Sequence, residues 1–141
     1  MSSAASLEKL DCNYNKLKSL NLTDNRNLRE LYCDINMLTS LDLSGNLALK
    51  ILDCNSNENL SSLNLTENRA LEELNCTCNN LSELDVSSVS KLKKLSCHAN
   101  RLSVLDLSAV NPTEVCCGSQ TSDGSSDQNL KLVLTWERAA S

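Results

Sequence analysis

The sequence repeats itself every 20 to 22 residues, and this period limits the folds open to the chain more than any other feature. Five full copies, each led by Leu, span 7–27, 28–48, 49–70, 71–91 and 92–111, and a shortened copy follows at 112–120. The third copy carries one extra residue, at Glu58 or Asn59. A single copy cannot bury its own leucines, so stability must come from the stacking of neighbouring copies. We therefore predict one domain built as a stack of similar coils.

Each copy consists of two related halves. The first half follows the pattern Leu-x-x-Leu-x-Cys-x-x-Asn-x, and the second follows Leu-x-x-Leu-x-Leu-x-x-Asn-x. Alternating inward and outward residues, as in Leu10-Asp11-Cys12, are typical of strands. We predict a mainly β, right-handed solenoid of five to six coils of about 21 residues, with little or no helix. Parallel strands are expected on the Leu-x-Cys side, and a second sheet or an extended equivalent on the Leu-x-Leu side.

Composition excludes several classes of partner. The formal net charge is -5, which disfavours nucleic-acid binding because that function needs a basic surface. No apolar run approaches the roughly 20 residues of a membrane-spanning helix, so we expect no membrane insertion. Residues 1–6 lack the charged start and apolar stretch of a secretory signal, so no signal peptide is predicted in this chain.

Two side-chain ladders follow from the period. One inward position of each coil is Cys: Cys12, Cys33, Cys54, Cys76, Cys97 and Cys117. A disulfide framework is the alternative, but framework cysteines vary in spacing, so we predict free, buried thiols acting as small apolar side chains. The turn after each of these strands carries an amide, at Asn15, Asn36, Asn57, Asn79 and Asn100, and Gln120 extends the series. We predict that these amides hydrogen-bond backbone groups that leave the strands.

A comparison of the coils with one another separates scaffold from candidate site. Outward residues on the Leu-x-Leu side are nearly uniform, as in Ser19-Asn21-Thr23 and Ser40-Asp42-Ser44. Outward residues on the Leu-x-Cys side vary from coil to coil, so we expect any binding surface there. The candidate binding residues are Tyr32, Asp34, Ile51, Asp53, Asn55, Glu73, Asn75 and His98. The alternative is a solvated sheet face that binds nothing.

Catalysis and metal binding find little support. Alternation points Cys97 inward and His98 outward, and the sequence has one His and no Cys-x-x-Cys pair, so no zinc site is predicted. Three glycines are too few for the Gly-Asp turns of repeat calcium sites. We expect no enzyme activity and no cofactor. Cys78 and Cys116 lie outside the ladder and are the cysteines expected to react.

The ends of the chain differ from the middle. We predict a disordered tail at 1–6, the solenoid at 7–120, a flexible loop at 121–128, and a capping strand with a tail at 129–141. No cap is visible before the first coil, so self-association through an uncapped end is one expectation, and a fragment of a longer protein is another.

The repeat Leu-x-x-Leu-x-Cys-x-x-Asn-x-Leu-x-x-Leu-Asp-Leu-Ser-x-Asn resembles the bacterial leucine-rich repeats. Within them it is similar to the short nested class called IRREKO, found in surface proteins of gut and oral Bacteroidetes. The resemblance covers about 7–120 and implies an extracellular or cell-surface recognition role. The predicted function is a non-catalytic protein-interaction or adhesion module that binds an unknown protein, of a host or of a cell surface. The alternative is a structural spacer or display segment of a larger surface protein.

Overall fold

The computed structural model describes residues 6–118, 120 and 130–134. The expectations for the N-terminal tail at 1–5, the loop at 121–128, and residues 129 and 135–141 lie outside the described residues.

Six short strands form one parallel sheet on the Leu-x-Cys side, here called the Cys-side sheet. Its strands are β1 (Lys9–Asp11), β2 (Glu30–Tyr32), β3 (Ile51–Asp53), β4 (Glu73–Asn75), β5 (Lys94–Ser96) and β7 (Glu114–Cys116), in the order β1-β2-β3-β4-β5-β7. Each strand pairs in register with the equivalent strand of the next coil, for example Leu10 with Leu31 and Leu31 with Leu52. The register confirms the mainly β solenoid of coils, one strand to each coil on this side.

The core is a column of leucines closed by cysteines. The central leucine of β2, β3, β4 and β5 is buried, and so is the Cys that follows each of these strands. Burial of a Leu side chain contributes about 1.5–3 kcal/mol, and each coil buries several. Cys12 and Cys117 are half-buried because they belong to the first and last coils of the sheet. All eight cysteines are free, so the predicted cysteine ladder is confirmed.

The Leu-x-Leu side forms no second sheet across the first four coils of the described chain. Only the fifth coil has a strand there, β6 (Val104–Asp106), which pairs in parallel with β8 (Lys131–Val133). In the other coils the segment is extended, and short-range hydrogen bonds within the coil take the place of strand pairing between coils. In the first coil, Thr23 donates from both its N–H and its hydroxyl to Asn21 Oδ1, at 3.1 and 2.7 Å. The extended equivalent, and not a second sheet, is therefore the better description.

Asparagines lock each coil to its neighbour on the Cys side. Asn57 Nδ2 donates to the carbonyls of Cys54 at 3.0 Å and of Cys33, one coil back, at 3.1 Å. Its Oδ1 accepts the N–H of Leu38 at 3.0 Å. Gln120 does the same in the last coil, since its Oε1 accepts the N–H of Leu102 at 3.1 Å. These bonds fix both the turn and the stacking of the coils.

Candidate functional site

The outward side chains of the Cys-side sheet form three parallel rows, which together are here called the Cys-side face. The register aligns Lys9, Glu30, Ile51, Glu73, Lys94 and Glu114 in one row, and Asp11, Tyr32, Asp53, Asn75, Ser96 and Cys116 in the next. The residue two positions after each strand supplies the third row: Asn13, Asp34, Asn55, Thr77 and His98. The structure thus brings all the sequence-predicted binding residues onto one surface.

Side chains at the first two strands interlock. Lys9 Nζ lies 3.3 Å from Glu30 Oε2 and 5.0 Å from the centre of the Tyr32 ring. The Tyr32 hydroxyl donates to the same Glu30 oxygen at 3.1 Å. The hydrogen bond from its own ammonium group to Glu30 is the main cause that raises the pKa of Lys9. Burial is the main cause that raises the pKa of Tyr32, and the hydrogen bond between its hydroxyl and Glu30 is the second. These two contacts orient the Tyr32 ring on the face.

The middle of the face is acidic and more enclosed than a solvated sheet surface. Asn55 Nδ2 donates to Asp53 Oδ1 at 2.6 Å, and Asn75 Nδ2 reaches Asp53 Oδ2 at 3.4 Å. Asp34 is only 8% exposed, and burial, together with the nearby Asp53 charge, raises the pKa of its carboxyl group. Asp34 therefore offers a partner little surface, although the sequence placed it among the binding residues. Ile51 and Glu73, which pair with each other in the first row of the face, are half-buried.

The face as a whole carries six carboxyl groups and two ammonium groups: Asp11, Glu30, Asp34, Asp53, Glu73 and Glu114 against Lys9 and Lys94. Most of the chain's formal charge of -5 is therefore concentrated on this one surface.

At the C-terminal end of the face, the single histidine lies between a hydroxyl and a thiol. His98 Nδ1 is 3.5 Å from Thr77 Oγ1 and 3.4 Å from Cys116 Sγ. Thr77 is buried, His98 is half-buried, and Cys116 is exposed. The sequence places His98 and Cys116 in adjacent coils, but their contact depends on how one coil sits on the next and is seen only in the structure.

An apolar edge borders the face at the first two coils and was missed by the sequence analysis. Tyr14 is 75% exposed, Met37 44% and Ile35 37%. Tyr14 and Ile35 occupy equivalent positions of adjacent coils, and both have a positive φ, of 55° and 53°. The same position holds Ser56, Cys78 and Ala99 in later coils. This change from large apolar to small residues was the signal in the sequence that could have identified the edge.

A groove of about 570 Å³ lies on the opposite, Leu-x-Leu side, where we expected only scaffold. It crosses the third to fifth coils, and its lining includes the buried Leu63 and Leu84 together with Glu83, Val104 and Asp106. The signal here was a single row: Ser19, Ser40 and Ser62 give way to Glu83 and Val104. The other two rows of that side are uniform, and they mask the change in this row when whole coils are compared.

The buried thiols are unsuited to chemistry. Burial, with the neighbouring Cys117 and Cys116 as smaller causes, raises the pKa of Cys97 to about 12, and burial raises the pKa of Cys54 and Cys76 well above the ordinary value. Thiolate is the reactive form, so these thiols stay inert near neutrality. Among residues 6–118, 120 and 130–134, no group of three or more His, Cys, Asp or Glu side chains could hold a metal ion. The same residues include no helix long and apolar enough to span a membrane.

The stacked coils and their cysteine ladder have a counterpart among solved structures. The chain is similar to the functional domain of InlJ from Listeria monocytogenes, a domain that includes a cysteine ladder, with a TM-score of 0.76 and 36% sequence identity over 82% of this chain. The fold is a leucine-rich-repeat solenoid. The chain spans 26% of the length of that InlJ chain. No family model matches the chain, and no curated protein matches its sequence.

Within this leucine-rich-repeat fold, the Cys side is the continuous sheet and the Leu-x-Leu side is the irregular one. The nested IRREKO class and the likeness to Bacteroidetes surface proteins stay predictions from the sequence. Two surfaces therefore qualify as candidate sites: the Cys-side face with its apolar edge, and the groove on the Leu-x-Leu side.

Proposed function

We propose that this leucine-rich-repeat chain is a non-catalytic module that recognises a protein through the Cys-side face. The observation that carries the proposal is the apolar edge of Tyr14, Ile35 and Met37 beside the variable, acidic sheet surface. Clustered exposed apolar side chains with a polar surround are typical of protein-binding surfaces. Tyr is also among the residues most enriched at interface hot spots.

Rigidity supports the same proposal. The rows of the face are fixed by strand register and by asparagine bonds between coils, so binding would order few groups. A preorganised surface loses less entropy on association than a flexible one, and more of the contact energy remains as affinity. Tyr32, held by Glu30 and Lys9, and half-buried Ile51 are expected to contact the partner together with Asp53, Asn55, Glu73, Asn75 and His98.

The charge of the face defines the chemistry of the partner. Five of the six carboxyl groups of the face are accessible, against two ammonium groups, and this balance favours a protein with a basic contact surface. Charge complementarity of this kind speeds association and is weakened by salt. As part of the same proposal we assign the module to the cell surface or the extracellular space, because the repeats that its sequence resembles belong to surface proteins.

The test compares three forms of the protein immobilised at equal density. One is wild type, the second is a face variant, Tyr14→Ser with Tyr32→Ser, and the third is a groove variant, Glu83→Ser with Val104→Ser. The groove variant restores the Ser row of the first three coils and so serves as a matched control. Surface proteins of bacterial and host extracts are passed over each form, and a captured protein is then purified and titrated against all three by calorimetry.

A purified basic protein that binds wild type and the groove variant equally, and the face variant at least about tenfold more weakly, supports the proposal. Equal binding to wild type and the face variant, with loss only in the groove variant, moves the site to the Leu-x-Leu side. If none of the three forms binds a protein, recognition is refuted and the spacer alternative is favoured.

A further inference from the structure

The contact between His98 and Cys116 carries an inference independent of partner binding. Cys116 is one of two exposed cysteines among the residues that the structure describes, and the other is Cys78. Cys116 Sγ lies 3.4 Å from His98 Nδ1, which is within hydrogen-bonding distance for sulfur. No such basic partner is found for Cys78 among the described contacts, so the two thiols differ in one chemical feature.

The sequence and the sheet together create this contact. Cys116 ends β7 and pairs in register with Ser96 of β5, and His98 follows two residues after Ser96. The N–H of Cys97 donates to the Cys116 carbonyl at 2.8 Å, which fixes the relative position of the two segments. Thr77 Oγ1, one coil back and buried, lies 3.5 Å from the same histidine nitrogen and limits rotation of the ring.

We propose that Cys116 is a site of mixed-disulfide formation with low-molecular-weight disulfides, with His98 as its base and Thr77 as a positioning residue. His98 Nδ1 takes the thiol proton, and the Cys116 sulfur attacks one sulfur of the small disulfide. The disulfide bond of the small molecule breaks as the new bond forms, and the second sulfur leaves as a thiolate. The proton passes from the imidazole to that thiolate or to water, so atoms and electrons balance.

The surroundings suit this reaction at Cys116 and at no ladder cysteine. The thiolate is the attacking species, so a base in contact with an exposed thiol raises the rate. Cys97 and Cys117, the nearest other thiols, point inward, and burial raises the pKa of both. The adduct would therefore form on the Cys-side face, at its last strand, and leave the core unchanged.

The test measures the rates of native thiols with 5,5'-dithiobis(2-nitrobenzoate) at neutral pH, one exposed cysteine at a time. The Cys78→Ser variant reports on Cys116, and the Cys116→Ser variant reports on Cys78. We expect Cys116 to react about tenfold faster than Cys78. In a background lacking Cys78, His98→Ala should remove most of that advantage, and added imidazole should restore it.

Two variants of Thr77 test whether it positions the His98 ring. Thr77→Val should lower the reaction rate of Cys116 by roughly a few-fold, because the contact between Thr77 Oγ1 and the His98 ring is lost. Thr77→Ser keeps the hydroxyl and should keep the rate. The chain has one histidine, so its ring protons give a single set of NMR signals, which should shift when Cys116 is modified and stay when Cys78 is modified. Thermal unfolding of each variant verifies that the fold is intact.

Equal rates for Cys116 and Cys78 in the folded protein would overturn the proposal. So would a Cys116 rate unchanged by His98→Ala, or a loss in that variant that imidazole fails to restore. None of these outcomes depends on whether the face binds a protein, so the two proposals can fail separately.

Discussion

The two sides of each coil begin from nearly the same ten-residue pattern, yet they are stabilised in different ways. On the Cys side, strands pair from coil to coil, and asparagines supply bonds that the backbone lacks. On the Leu-x-Leu side, turns satisfy their own backbone groups, and asparagine is optional. The difference shows that the same residue at equivalent positions can be essential in one half of a repeat and dispensable in the other.

The buried asparagines make this difference concrete. Among the described residues, the Cys33 and Cys54 carbonyls accept hydrogen bonds from asparagine side chains. On the other side, Asn68 Nδ2 donates to the carbonyls of Leu43 and Asn46, each of which already accepts a turn N–H. Asn68 Oδ1 is buried and has no hydrogen-bond partner. Val89 and Val110 replace Asn at this position in the fourth and fifth coils without opening the turn.

The largest predicted effect tests the two asparagines with the same substitution. Asn57→Val should lower the free energy of unfolding by about 2–3 kcal/mol, because it leaves the buried Leu38 N–H unpaired and removes one of the two asparagine bonds to each of the Cys33 and Cys54 carbonyls. Asn68→Val should change it by less than about 1 kcal/mol, because it also removes an unpaired oxygen. Urea unfolding followed by circular dichroism measures both. Equal losses in the two variants would contradict the distinction between the ladders.

A second comparison enlarges the equivalent inward position on each side. Cys54→Leu should destabilise the protein by about 1–3 kcal/mol, because the thiol is fully buried between the neighbouring ladder cysteines and extra methyl groups would overpack the column. Val86→Leu should be tolerated within about 1.5 kcal/mol, because Leu occupies that position in the coils before and after it. The same unfolding measurement applies. A larger loss for Val86→Leu would mean that the Leu-x-Leu side is the more tightly packed one.

A third, smaller effect concerns the left-handed backbone after each Cys-side strand. Ile35 has a φ of 53°, which is unfavourable for a β-branched residue, and its side chain is partly exposed. Ile35→Asn should raise the free energy of unfolding by about 0.5–1 kcal/mol, because Asn tolerates this conformation. The control, Ile51→Asn in β3, should destabilise, because that backbone is extended. Stabilisation of both variants would point to the loss of apolar surface as the cause.

The smallest predicted effect is on how stability depends on pH, which should differ between the Cys side and the Leu-x-Leu side of the coils. Burial raises the pKa of Cys97 from its ordinary value of 9.0 to about 12, so its contribution is complete below pH 9 and is lost as the pH rises toward 12. Bonds from Ser87 lower the pKa of Asp85 below its ordinary 3.8, so its contribution is present above pH 3.8 and is lost on further acidification.

Thermal unfolding midpoints across the pH range provide the measurement. Asp85→Asn should make the midpoint less sensitive to acid and keep the turn, since Asn64 accepts the equivalent N–H, that of Thr66, in the preceding coil. Cys97→Val should make the unfolding midpoint less sensitive to pH on the alkaline side of the profile. Each variant is the control for the other. A change in the alkaline dependence caused by Asp85→Asn, or in the acid dependence caused by Cys97→Val, would contradict the assignment.

Much of the fold and part of the candidate site could be predicted from the alternation of inward and outward residues within each coil. Alternation placed Tyr32, Ile51 and Asp53 outward and the cysteines inward, because neighbouring residues of a strand point to opposite faces whatever lies beyond the strand. It could not reveal that Asp34 is nearly covered, since that depends on the side chains of adjacent coils. The apolar edge was missed because Tyr14 and Ile35 lie in the turn, where alternation ends.

The sequence alone determined the period, the stack, the cysteine ladder and the identity of the variable side, because each depends on spacing repeated from coil to coil. Only the tertiary structure decided that the Leu-x-Leu side forms no sheet in its first four coils within the described chain, that β6 pairs with β8, and that a groove crosses that side. It also brought His98 against Cys116. These features depend on how one coil sits on the next, and a pattern confined to a single strand carries no record of that packing.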